Sequence, residues 1–62
     1  MSEKLLRRPD VEARTGLARS TIYKWITEGA FPSPVRLGGR VVAWKESEID
    51  AWIEAQIEAR AA

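Results

Sequence analysis

The stretch GAFPSPVRLGG, residues 29 to 39, decides what this chain can become. Pro32 and Pro34 lack an amide hydrogen and push the residues before them toward extended geometry, and glycines stand at both ends, so no helix runs through it. Helical segments must therefore lie on either side of a short extended region. A chain of 62 residues is too small for two cores, so residues 1–62 are expected to form one domain, with a ragged start over 1–6 and a fraying helix end over 58–62.

Within the extended region, VRL and RVVAW flank Gly38-Gly39, a pair suited to the positive φ angles of a two-residue type I′ or II′ hairpin turn. Pairing across that turn sets Leu37 opposite Arg40, Arg36 opposite Val41 and Val35 opposite Val42. Alternation then places Val35, Leu37, Val42 and Trp44 on a core face, with Arg36, Val41 and Ala43 on the other.

Before the break, RPDVEARTG reads as a helix of barely two turns. Pro9 suits a first helical position, Asp10 and Glu12 suit the positive end of the dipole, and Gly16 suits a left-handed stop. ARSTIYKWITEG follows, with Ile22, Trp25 and Ile26 at helical spacing and Gly29 ending the run. Two helices joined by about three residues around Gly16 have the spacing of a helix-turn-helix. After the hairpin, acids crowd the turn from Glu46, and Ile49, Trp52, Ile53 and Ile57 form an apolar stripe. The expected architecture is mainly α with a small β-hairpin: helix, helix, hairpin wing, helix.

Charge is distributed unevenly along this order. Residues 1–13 balance Lys4, Arg7 and Arg8 against Glu3, Asp10 and Glu12. Residues 14–45 carry Arg14, Arg19, Lys24, Arg36, Arg40 and Lys45 against Glu28 alone, a net of +5. Residues 46–62 carry Glu46, Glu48, Asp50, Glu54 and Glu58 against Arg60, a net of −4. A basic block spanning a helix-turn-helix and a hairpin points to a polyanionic partner.

With neither cysteine nor histidine, the chain has no thiolate or imidazole metal site and lacks the commonest nucleophile and general base, so no metal, no cofactor and no enzymatic activity are expected. The longest unbroken apolar run is VVAW, too short for a bilayer, and MSEKLLRR lacks the form of a secretory signal. A cytoplasmic protein with no small-molecule ligand is the expectation.

A nucleotide loop at Gly38-Gly39 needs a helix directly after the glycines, and a β-branched strand follows instead. That leaves a plain structural turn or a wing tip whose flanking Arg36 and Arg40 reach the backbone of double-stranded DNA. Arg19, Ser20 and Thr21 open the second helix at its positive end, where free amides favour phosphate. Ser20, Tyr23, Lys24 and Thr27 then offer donors along one side to a major groove. The plainer alternative is that Thr21 caps the helix and Tyr23 packs against the wing. Trp44 and Trp52 fall on core faces, Trp25 lies at the edge of its stripe, and Glu54 and Glu58 read as a solvated face.

TGL, STIY, EGAFPSPV, LGGR, and a tryptophan followed after four residues by IDAW together resemble the AlpA-type regulators of phages and prophages. These are small winged helix-turn-helix proteins related to excisionases and to the DNA-binding part of MerR regulators. The resemblance covers about residues 8–54. It implies a sequence-specific DNA-binding regulator of phage or integrated-element genes, with the recognition helix over about residues 19–28 and the wing over 35–44. An architectural excisionase that bends DNA is the alternative within DNA binding, and a protein-interaction adaptor using the last helix is the alternative outside it. Carried over by position, Arg19, Ser20, Thr21, Tyr23 and Lys24 form the groove set, and Arg36 and Arg40 the wing set. The family usually has a serine where this chain has Ala18; without that cap, the helix start shifts or Ser20 takes over. The small size of such a module also implies self-association or cooperative binding on repeated sites.

Overall fold

The computed structural model describes residues 3–61, with the side chain of residue 61 left out. Its elements are β1 (Leu5–Leu6), α1 (Arg8–Thr15), α2 (Arg19–Thr27), β2 (Val35–Gly38), β3 (Val41–Lys45) and α3 (Glu46–Ala61). This is a winged helix-turn-helix, mainly α with a small antiparallel sheet.

The first two helices begin and end where the local chemistry dictates. Pro9 stands in the first turn of α1, and Gly16 closes the helix at φ 73°, its amide donating to the Glu12 carbonyl at 2.8 Å. A residue with a Cβ resists that left-handed geometry, so glycine is what allows the sharp exit into α2. Thr15 Oγ1 secures the same corner by donating to the Val11 carbonyl at 2.8 Å and accepting from the Leu17 amide at 3.3 Å.

The sheet has the order β1-β3-β2, with β3 central. Strand β1 corrects the expected ragged start for residues 5 and 6: Leu5 pairs with Lys45 and Leu6 with Trp44. Of the rest of that expectation, residues 3 and 4 are described, without regular structure, while residues 1 and 2 lie outside the described residues, as does residue 62 at the other end. The first residues also tie down α3, because the Lys4 carbonyl accepts from the Glu46 amide at 2.9 Å. The Glu3 carboxylate accepts from the Ser47 amide at 3.3 Å and from its hydroxyl at 2.9 Å, satisfying donors at the start of that helix.

Hairpin register departs from the expectation by one residue. Val35 pairs with Ala43, Arg36 with Val42, and Gly38 with Val41, with a shift between Arg36 and Gly38. Gly38 thus joins the ladder, the turn is Gly39-Arg40, and Leu37 becomes the extra residue of a bulge. Gly39 has φ 51° and Arg40 is not left-handed, which excludes a type I′ turn because that type needs positive φ at both central positions. A slip of one residue exchanges faces. Arg36 therefore shares the face of Val42, while Val35 stands on the face of Ala43. Val35 and Leu37, expected in the core, are exposed at 37% and 51%, and Ala43, expected outside, is fully buried.

The core consists of Leu6, Val11, Ile22, Phe31, Trp44 and Ile49, flanked by Leu17, Trp25, Ile26, Val42, Trp52 and Ile53. Each helix and the sheet contribute, so α1 and α2, individually too short to persist alone, are held by shared burial. Two carbonyls of the segment between α2 and the wing are met by indoles. Trp44 Nε1 donates to Pro32 at 2.9 Å and Trp52 Nε1 to Ala30 at 2.8 Å. Phe31 meets Trp52 edge-on at 4.8 Å between centroids, and Trp25 lies 6.1 Å from Trp52. The stripe of α3 stops at Ile53: Ile57 is 55% exposed, because the helix runs past the end of the core.

Candidate nucleic-acid interface

The α1-turn-α2 pair displays the first turn of α2 to solvent. Ala18 occupies the cap position with extended geometry, φ −76° and ψ 157°, and no side chain caps the helix. The helix start does not shift despite the missing serine, Ser20 does not take over, and Thr21 does not cap. The Ile22 amide already donates to the Ala18 carbonyl at 3.0 Å. The amides of Arg19, Ser20 and Thr21, which a helix cannot satisfy internally, gather where the helix dipole is positive.

Along α2, Arg19, Ser20 and Lys24 are exposed, and Thr21 and Tyr23 half-buried. The Arg19 guanidinium lies over the Tyr23 ring, 5.8 Å from its centroid, which orients both side chains on one flank of the helix. Thr27, also on the polar side, donates its hydroxyl to the Tyr23 carbonyl at 3.0 Å, so that donor is spent within the helix. The fully buried Ile22 and half-buried Trp25 and Ile26 anchor the opposite side.

On the wing, Arg36 and Arg40 are both exposed, Arg40 within the turn itself. Arg14, one of the six cations of the basic block, is diverted. Its guanidinium reaches Glu46 Oε2 at 2.8 Å and Asp50 Oδ1 at 3.5 Å, tying α1 to the acidic start of α3. Five cations of the block remain outside ion pairs among the described residues: Arg19, Lys24, Arg36, Arg40 and Lys45.

Arg7 and Arg8, balanced by nearby acids in the sequence, lie at the start of α1 and line one cavity together with Arg40. Only the doublet in LRRPD, directly before a helix-starting proline, signals them in the sequence.

Residues 4–57 match the family model described as prophage CP4-57 regulatory protein (AlpA). The chain belongs to the AlpA family. It is 50% identical over 58 residues to the uncharacterized protein ORF88 of Enterobacteria phage P4, covering 94% of this chain. The chain spans 66% of that phage protein, just under two thirds of its length. It is 41% identical over 56 residues to the DNA-binding transcriptional activator AlpA of Escherichia coli strain K12, covering 81% of this chain and 80% of that protein. The AlpA match takes in every element of the fold: β1, both helices of the helix-turn-helix, the wing and most of α3. No helix among the described residues of this AlpA family member is long and apolar enough to cross a membrane.

Proposed function

We propose that this AlpA family member is a sequence-specific double-stranded DNA-binding regulator of phage or integrated-element genes, acting in the cytoplasm without catalysis. The observation that carries the reading is the open start of α2, where uncapped amides meet exposed Arg19 and Ser20 with Lys24 one turn on. Its 41% identity to a DNA-binding transcriptional activator supports the same assignment.

In this reading the first turn of α2 takes a backbone phosphate through amides, hydroxyl and guanidinium, and so sets the position of the helix. Ser20, Tyr23 and Lys24 then face base edges in the major groove, where donor and acceptor patterns distinguish all four base pairs. Arg36 and Arg40 place the wing on the neighbouring backbone. A single module of this type buries only roughly 600–1,000 Å² on DNA, so tight occupancy relies on cooperative loading at repeated sites.

Titration of labelled duplex at several salt concentrations tests the reading. Phosphate contacts made by the remaining cations give a clearly negative slope of log affinity against log salt, at about −0.9 per contact. Lys24→Ala should relax sequence preference, whereas Arg40→Ala should weaken binding to all sequences alike. A flat salt dependence would remove the proposal.

A further inference from the structure

The junction of β1 and α1 and the tip of the wing enclose a shallow cavity of about 190 Å³, lined by Arg7, Arg8, Pro9, Arg40 and Val42. Three of these five side chains are guanidinium-bearing, and none is acidic. Arg8 Nε is engaged by Glu12 at 3.1 Å, which fixes the side chain while leaving its terminal nitrogens to other partners. Arg7 and Arg40 make no ion pair among the described residues. Arg36 stands across from Val42, which is also among the lining residues, and so adds a fourth positive charge on that sheet face.

The dimensions and chemistry narrow what fits. Sites for whole small molecules run to roughly 300–1,000 Å³, and this smaller cavity suits a single tetrahedral anion with its water. Guanidinium forks match phosphate oxygens in pairs, and like charges converging on one concavity raise the local potential for an anion. Pro9 has no amide hydrogen and the Val42 side chain no polar atom, so among the side chains of the lining residues the arginines are the donors.

We infer that Arg7, Arg8 and Arg40 form a phosphate clamp that grips one backbone phosphodiester, extending the DNA interface from the wing to the β1–α1 junction. This rests on the DNA-binding reading for the source of the phosphate but not for the clamp itself. The wing tip and the start of α1 hold the same phosphate from two sides, so the wing is braced when DNA is bound.

The test uses the full chain with Arg7→Gln, Arg40→Gln, the double variant, and Arg60→Gln as a control that removes the same charge near the end of α3. Arg7 takes no part in capping α1 through its side chain, so circular dichroism and melting should be unchanged in R7Q. Each phosphate contact contributes about a threefold loss of affinity between 50 and 200 mM salt. R7Q should weaken duplex binding and reduce that salt-dependent loss by up to about threefold, while R60Q keeps the wild-type dependence. The double variant should lose less than the product of the single losses, because both arginines serve one phosphate. R7Q that behaves like R60Q, or single effects that simply multiply, overturns the shared clamp. Titration of the free chain with inorganic phosphate, followed by amide and guanidinium NMR shifts, separates the two readings. Shifts confined to Arg7, Arg8 and Arg40 in a protein that binds no duplex would overturn the backbone source and leave a free phosphate as ligand. No shifts and no duplex binding would overturn both.

Discussion

Replacing Ala18 by aspartate should stabilise the fold and weaken DNA binding at the same time. Ala18 already has the extended backbone a cap requires, is exposed, and precedes unsatisfied amides at Ser20 and Thr21, the two positions a capping side chain reaches. A serine, asparagine or aspartate at such a site is worth about 1 kcal/mol over alanine, within a range of roughly 0.5–2. Aspartate adds up to about 1 kcal/mol more from its charge at the positive helix end at low salt. For a domain of this size each kcal/mol raises the melting temperature by about 4–8 °C. The same carboxylate, however, takes the amides assigned to a phosphate and sets a negative charge beside it. Ala18→Asp should therefore melt higher by circular dichroism and bind duplex more weakly in a fluorescence anisotropy titration, whereas Ala18→Ser gains stability without the added charge. Lower stability in both variants would show that α2 does not begin at Arg19. Higher stability with undiminished affinity would show that the start of α2 does not meet phosphate.

Other outcomes follow from single contacts. Trp44→Phe leaves the Pro32 carbonyl without its indole donor, a loss of about 1–3 kcal/mol before any cavity is counted, read as a lower urea midpoint with unchanged slope. Arg14→Ala should cost no more than about 1 kcal/mol, since its side chain is 37% exposed and the pairs are screened by salt, and it should leave the salt dependence of duplex binding unaltered. Gly39→Val forces a β-branched residue to φ 51° at the wing turn, costing about 1–3 kcal/mol and loosening amide protection in β2 and β3.

Helix boundaries were legible because their signals are local. Pro9, Gly16 and Gly29 act through their own backbones, whatever surrounds them, and α1 and α2 stop where those residues require. Strand β1 was not legible, since two leucines carry no period and pair only because β3 is there to receive them. The hairpin shows the limit most clearly. Gly38, Gly39 and Arg40 permit two turns that differ by one position, and the one formed puts Arg40 in the turn and Arg36 on the Val42 face. No alternation of residue types decides between them; the packing of Trp44 against Leu6 and the burial of Ala43 do. Of the candidate site, the exposed Ser20 and Lys24 followed from helical spacing and the exposed Arg19 from its place in the first turn of the helix. Arg7 and Arg8 did not, because summing charge over residues 1–13 hid that their guanidiniums share a cavity with a residue more than thirty positions away.

On the proposed reading, the indole bonds to Ala30 and Pro32 bear on how the protein tolerates change in its operator. They pin the only segment between α2 and the wing at two successive points, from β3 and from α3. Helix α2 and the wing are consequently tied to one another through this segment, and on the DNA-binding reading proposed above the spacing between groove and backbone contacts follows from those bonds. Insertion of a single residue between 29 and 34 would misalign the two contacts by about one strand step, roughly 3.3 Å. On that reading, substitutions on α2 change which bases are read, while the separation of the two contacts along the duplex follows from the tryptophans.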